Sequence, residues 1–228
     1  MSLLARLWRW TWRILLILVL IDAGYLIGIW PDWEQYRRGP VPESNFIRAY
    51  RAEQAQRSDW PPLRWSPVPL ESIPQGVIRA VVVAEDSRFY EHAGVDLEAL
   101  RQAMETNLSE QRMAYGASTI SQQTVKNLFL SRSRNPLRKW HELVITLGME
   151  RSLSKKRILE LYLNVAEFGR GIYGVDAAAK HYWGIPVHRL SNRQAIELAA
   201  TLPSPLRSNP ATRSKAFQRR VRKIRRYF

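Results

Sequence analysis

Apolar residues follow two different patterns along the chain. From Ile14 to Trp30 they run almost unbroken, with Asp22 the one charged residue inside the run. Beyond residue 44 they recur at helical spacing. Asn45 to Gln56 reads as one helix. The stretch Trp60-Pro61-Pro62-Leu63-Arg64-Trp65-Ser66-Pro67-Val68-Pro69 cannot continue it, because proline lacks the amide donor and restricts the residue before it. That stretch reads as extended backbone with its tryptophans packed on the domain surface. Pro74 suits the first turn of a helix that carries the apolar run Ala80 to Ala84. Gly94 breaks the chain, and Asp96 can cap a helix bearing Leu97, Leu100, Met104 and Leu108. Asn135-Pro136 opens a further helix running to about Leu153. Ser154 can cap the next, whose apolar face is Ile158, Leu161, Tyr162 and Val165. Gly169, Gly171 and Gly174 punctuate a loop, and an Ala-rich helix ends near Gly184. Ser191 to Gln194 has the capping-box spacing, and Pro203 and Pro205 end the helix it opens. The pattern predicts one mainly α body without a strand-rich region.

The apolar run is a membrane anchor by length. Thr11 to Trp30 supplies the roughly 20 residues a spanning helix needs. Trp8, Trp10 and Trp12 flank one end, Trp30 and Trp33 the other, as interfacial belts do. Arg6, Arg9 and Arg13 lie on the N-terminal side, so the positive-inside rule keeps the N-terminus in the cytoplasm and puts the body outside the inner membrane. A cleaved signal peptide is the alternative, but no Ala-x-Ala-like site follows the run. Asp22 costs about 2.5–3.5 kcal/mol at mid-membrane, and is either paired there or tolerated.

Charge adds a second constraint. The 228 residues carry a formal net charge of +15, which calls for an anionic partner or surface. A body outside the membrane disfavours nucleic acid. The basic tail from Arg213 places Phe217, Val221, Ile224 and Phe228 on one face, as a helix docked on the core or lying on anionic lipid would. With no cysteine there is neither a disulfide nor a thiolate metal site.

Three stretches carry candidate chemistry. The apolar run Ala80 to Ala84 ends in Glu85-Asp86, followed by Arg88, Phe89, Tyr90 and His92. A carboxylate leaving an apolar core has a raised pKa and suits a general base; a solvated helix end is the plainer reading. If Ser118 begins a helix, Thr119, Gln122, Gln123 and Lys126 share one face. That stripe looks like a wall facing a polar, anionic ligand. Arg134, Arg138 and Lys139 surround Glu142, either as a surface ion-pair cluster or as a phosphate clamp.

Together these stretches resemble the peptidoglycan glycosyltransferases of glycosyltransferase family 51. Glu85-Asp86-x-Arg88-Phe89-x-x-His92-x-Gly94-x-Asp96 is similar to the family's first motif. Gly116 to Gln123 with Lys126-Asn127 resembles the second, and Arg138-Lys139-x-x-Glu142 the third. Ile158-Leu159-Glu160-x-Tyr162-Leu163-Asn164 with the glycines at 169, 171 and 174 resembles the fourth. Ala117 stands where many members have a second glycine.

The resemblance implies a mainly α, lysozyme-like bilobal domain over 65–210. The anchor would occupy 1–33, a membrane-proximal linker 34–64 and a basic helix 211–228. It implies that lipid II is polymerised with inversion at the donor anomeric carbon. Glu85 would be the general base and Glu142 a second catalytic carboxylate. Ser118, Thr119, Gln123, Lys126, Asn127, Arg134, Arg138 and Lys139 would bind the donor and its diphosphate. No cofactor is firmly implied; a divalent cation at the diphosphate is left open. Expected partners are lipid II, the growing glycan, membrane lipids and other cell-wall or division membrane proteins. Ser152-Leu153-Ser154-Lys155 fits a penicillin-binding S-x-x-K pattern, but no K-T-G follows, so a monofunctional enzyme is expected. A glycan-cleaving enzyme and a non-catalytic tethered module are the rivals. The first has no use for the cations, and the second none for Glu85.

Overall fold

The computed structural model describes residues 3–109, 118–133 and 135–228, and side chains from residue 7 onward except at 107–109. It divides into two units that meet between Asp32 and Trp33.

The first unit is α1, Leu3–Gly28. Its stretch Leu7–Gly28 has 22 residues and a mean hydropathy of 1.7, long and apolar enough to cross a bilayer. At 1.5 Å per residue it extends about 33 Å, against a hydrocarbon core of about 30 Å. From Leu7 to Ile27 most of its large side chains, among them Trp8, Leu18 and Ile27, are exposed. Near its basic end the Trp8 and Trp12 rings meet edge-on at 5.5 Å, and the Arg13 guanidinium lies 5.3 Å over Trp10.

The second unit is mainly helical. Helix α2 (Trp33–Arg37) is pinned by Trp33 and Tyr36, which meet Phe129 edge-on at 5.7 Å and 5.0 Å. Helix α3 (Asn45–Gln54), capped by Ser44, buries Phe46, Ile47 and Tyr50. The short strand β1 (Arg64–Trp65) and a 3-10 turn at Leu70–Ser72 lead to α4 (Gln75–Glu85). Then come α5 (Leu97–Ser109), α6 (Ile120–Phe129), α7 (Pro136–Ser152) and α8 (Lys155–Val165). Strands β2 (Glu167–Gly169) and β3 (Ile172–Tyr173) precede α9 (Val175–Trp183), a 3-10 turn at Val187–Arg189, α10 (Asn192–Thr201) and α11 (Lys215–Tyr227).

Two packed groups make the core. In one, α4 lies along α10, and α11 covers both. Helix α4 buries Val77, Ile78, Ala80, Val81 and Val82, as its apolar run requires. Phe217 and Ile224 of α11 are buried while Arg222 and Lys223 face out, so the tail is docked on the body. In the other group, α6 packs against α7, α8 and α3. Helix α5 leaves Leu97, Leu100 and Met104 exposed. The mainly α body is the one the sequence implied.

Segment 34–64 packs on the body. Phe46, Ile47 and Tyr50 cluster with Tyr173, and Tyr50 stacks on Trp60 at 5.0 Å while its hydroxyl donates to Pro61 O at 2.7 Å. The glycine-punctuated loop is a hairpin. Its strands complete a sheet of order β1-β3-β2, with β1 parallel and β2 antiparallel to β3. Gly171 turns it at φ +72°, where a Cβ would strike the Tyr50 ring. The strands are two or three residues long, too short for alternation to announce them.

The fourth motif does structural work. Asn164, fully buried, accepts from Val68 N at 2.8 Å and donates to Val68 O and Glu160 O. Its carbonyl takes the Trp65 indole N–H at 2.9 Å, and Glu160 accepts from Leu70 N. These bonds clamp the proline-rich segment onto α8.

Candidate active site

The site starts at the last residue of α4. Glu85 is half-buried, and Gln123 Nε2 donates to its Oε2 at 2.8 Å. The Gln123 amide is itself oriented: the Tyr162 hydroxyl donates to Gln123 Oε1 at 3.3 Å. Burial, together with the carboxylates of Glu85 and Asp86, holds that hydroxyl well above its ordinary pKa, so it stays a donor. Burial also pushes the Glu85 carboxyl up, against the lowering effects of Gln123, Arg220 and Lys126. A raised carboxyl next to a neutral amide is what a general base near neutral pH requires.

Asp86 holds the end of α4 in place from behind. Its Oδ2 accepts from Ile120 N at 3.0 Å, which ties the end of α4 to the start of α6. His92 Nδ1 accepts from Gly94 N at 3.1 Å, so Nε2 carries the proton and donates to Asp86 at 2.9 Å. Gly94, at φ +96°, packs where a Cβ would meet Thr146 and Glu150, and its carbonyl accepts from the Thr119 hydroxyl at 2.6 Å. Asp86, His92 and Asp96 put three ligand-type atoms within 4.8 Å of one another. Asp96 Oδ1 caps α5 through Ala99 N and His92 is bonded on both nitrogens, so the group is bonded as a brace.

Beside Glu85 lies a cavity of about 460 Å³, lined by Phe46, Ser118, Gln123, Lys126, Arg132, Ser133, Arg138, Lys139, Glu142 and Glu167. Glu142, buried, is bonded by Arg138 Nη1 at 2.7 Å and by Lys139 Nζ, which also reaches Ser118 Oγ at 3.2 Å. Burial lowers the Lys126 pKa, Glu142 opposes that, and Arg138 and Lys139 reinforce it. Arg138 Nε is buried and has no hydrogen-bond partner among the described residues. Four cations against two carboxylates give the cavity a lining suited to an anion.

A sequence profile of the Transglycosylase family matches residues 54–227. The chain belongs to the transglycosylase family. A protein of Nitrosospira multiformis named biosynthetic peptidoglycan transglycosylase is 41% identical over 197 residues, 86% of this chain and 86% of its own. One of the same name from Thiobacillus denitrificans is 40% identical over 221 residues, covering 97% and 95% of the two chains. Another, from Aeromonas hydrophila subsp. hydrophila, is 50% identical over 159 residues, 70% of this chain and 67% of its own.

In this transglycosylase-family chain the residues singled out from sequence are sorted as follows. Ser118, Gln123, Lys126, Arg138, Lys139 and Glu142 share the cavity, and Glu85 adjoins it through Gln123. Thr119 does not face it. It is the N-cap of α6, its oxygen accepts from Gln122 N, and Gln122 returns the bond to Thr119 N in a capping box. Asn127 is buried and outside the cavity lining. Arg134, Gly116 and Ala117 lie outside the described residues. The S-x-x-K match dissolves into local roles: Ser152 ends α7, Ser154 caps α8, and Lys155 pairs with Glu150 at 2.8 Å.

Sequence reasoning missed Arg132, Glu167 and Arg220. Arg132 and Glu167 line the cavity, and Arg220 acts on Glu85 through space. Arg132 stood beside the basic cluster and Glu167 beside the glycine-rich motif, so the signal was adjacency alone.

Proposed function

We propose that the chain is a biosynthetic peptidoglycan transglycosylase. It polymerises lipid II into linear glycan with inversion at the donor anomeric carbon and releases undecaprenyl diphosphate. One observation carries the reading: Gln123 belongs to both halves of the site, bonding Glu85 and lining the cationic cavity. A proton acceptor and a diphosphate receptor are thereby one residue apart.

The chemistry follows from that arrangement. The acceptor 4-hydroxyl attacks the donor anomeric carbon from the face opposite the diphosphate, and Glu85 takes its proton. The diphosphate leaves as an anion and needs no proton. It needs charge neutralisation as the bond breaks, which Lys126, Arg138 and Lys139 supply from the cavity wall. Glu142 holds Arg138 and Lys139 in ion pairs and favours the charged form of Lys126. A glycan-cleaving enzyme needs the carboxylate but has no use for four cations around it.

The lipid part of the substrate has a neighbouring surface. A groove of about 1060 Å³ meets the charged cavity at Ser118 and Lys139 and is walled by Leu97, Leu100, Trp140, Leu143 and Leu147. Its apolar lining suits a polyprenyl chain, and the exposed α5 residues beside it suit membrane lipid. Helix α1 would hold the enzyme as a single-pass protein with its N-terminus in the cytoplasm and its body on the outer face of the inner membrane.

The test is incubation of the purified full chain with lipid II in detergent, followed by sizing of the product. Long glycan together with undecaprenyl diphosphate is expected. Glycan fragments released from sacculi, with lipid II untouched, would overturn the reading.

A further inference from the structure

Arg132 follows the end of α6 and reaches the cavity from a direction the motif cations do not use. Three separate elements hold it. Its guanidinium lies 5.1 Å over the Phe46 ring of α3. Its Nη2 donates to the Tyr173 hydroxyl of β3 at 2.6 Å and stands 3.4 Å from Glu167 Oε2 of β2. Tyr173 is fully buried, so this hold is built into the core. An arginine serving only solubility keeps its rotamer freedom, because fixing it costs side-chain entropy. Here the side chain is fixed, yet it remains 40% exposed in the cavity. Its Nε and Nη1 have no protein partner among the described residues.

The charge distribution gives that placement a use. Glu142 is already taken by Arg138 and Lys139. Glu167 meets Arg132 only at 3.4 Å, too far to satisfy it fully. The cations of the lining outnumber its carboxylates by two, the charge of a diphosphate diester. A purely structural tie would be closed off from the cavity, which Arg132 is not.

We infer that Arg132 is a further anion-holding residue of this cavity, gripping the substrate's diphosphate from the wall made by α3 and the sheet, with Tyr173 and Glu167 as its positioning residues. This rests on the diphosphate reading of the cavity and extends it to a residue outside the four motifs. Lys126, Arg138 and Lys139 approach the ligand from α6 and α7, so Arg132 closes the clamp from another side and discriminates diphosphate from monophosphate.

The experiment measures inhibition of lipid II polymerisation by undecaprenyl diphosphate and by undecaprenyl phosphate, using the full chain in detergent. Arg132→Ala should weaken undecaprenyl diphosphate roughly 10- to 100-fold, the range for a lost charged hydrogen bond, and undecaprenyl phosphate clearly less. Arg132→Lys should recover part of the loss. Tyr173→Phe keeps the cation but frees it, and should show a smaller loss with the same preference for diphosphate. A merely structural role would move both lipids equally. Lys126→Ala serves as the comparator. If Lys126→Ala loses diphosphate binding while Arg132→Ala stays within about twofold, Arg132 is not part of the clamp and the cavity reading stands. If neither variant weakens binding, the cavity reading itself falls. Should Arg132→Ala fail to fold, Arg132→Lys and Tyr173→Phe decide: equal loss on both lipids overturns the inference.

Discussion

Gln123 Nε2 donates to Glu85 Oε2 at 2.8 Å, with the Tyr162 hydroxyl behind it at 3.3 Å. This relay comes from three helices, α6, α4 and α8. It fixes the carboxylate by a neutral donor, so Glu85 is positioned without the strong pKa depression a direct ion pair would impose. A carboxylate held that way stays basic enough for the proposed role of general base.

Replacing Glu85 by Gln removes the base and keeps the shape. Turnover with lipid II should fall roughly 10²- to 10⁴-fold, the usual worth of a positioned general base. Stability should move the other way. The folded carboxyl has a raised pKa, so its charged form opposes folding at neutral pH, and that cost disappears once both states are protonated. Glu85→Gln should therefore melt above the parent at pH 7. The difference should shrink as the pH falls toward the ordinary Glu value of about 4.3. Thermal melts across that range, beside turnover, check both signs; near-normal turnover would remove Glu85 from the mechanism.

Arg220 should act on the same base from the tail. The Phe228 ring lies 5.4 Å from the Arg79 guanidinium, so α11 ends beside the first half of α4. Eight residues back along α11, about 12 Å, Arg220 comes level with the end of α4, where Glu85 sits. Its guanidinium lowers the Glu85 pKa, second to Gln123 among the lowering effects. Arg220→Met should raise that pKa, so the acid limb of the kcat/KM profile moves to higher pH. Exposed Arg222→Met on the same helix should leave the limb in place. An unmoved limb in Arg220→Met would confine the tail to packing.

Elements set by local chemistry were legible in the sequence, and contacts between distant segments were not. Asn135 with Pro136, Ser154, and Ser191 with Gln194 each act within one helical turn, and each caps the helix it was expected to cap. The same locality misled at Thr119. Its spacing to Gln122, Gln123 and Lys126 predicted one ligand-facing stripe, but a capping box turns Thr119 and Gln122 back onto the backbone and leaves Gln123 and Lys126 for the cavity. Arg132 and Glu167 are 35 positions apart, in a connecting segment and a three-residue strand. No period links them, so only the packing of α3 and the sheet shows that they share a wall.

Asn164 offers a test of the fourth motif as a clamp rather than a catalytic element. Asn164→Ala would remove the partners of Val68 N and O in a part-buried segment, where each lost or unmet polar group costs about 1–3 kcal/mol at most. A loss of roughly 3 kcal/mol should lower the melting temperature by about 6–12 °C for a body of this size. The KM for lipid II should hold in the fraction that remains folded. A variant that melts normally but loses turnover would give Asn164 a place in the reaction instead.

Glu142 should govern the alkaline side of the profile. It is 2% exposed, takes Arg138 at 2.7 Å and Lys139 Nζ, and is the strongest influence raising the Lys126 pKa. Burial already holds that amine below its ordinary value, and Arg138 and Lys139 press it further down. In Glu142→Gln the opposing charge is gone, so Lys126 should lose its proton at lower pH. The leaving diphosphate then meets a neutral amine, and the alkaline limb of turnover should move toward neutrality. The fold should weaken as well, by about 3 kcal/mol, because a buried ion cluster loses its carboxylate. The two effects separate in the double variant Glu142→Gln with Lys126→Arg. A guanidinium keeps its charge to pH above about 12, so the alkaline limb should return toward its original place while the melting temperature stays low. If Glu142→Gln leaves the limb unmoved, Glu142 does not act through Lys126, and its part in the site reduces to holding Arg138 and Lys139 in position.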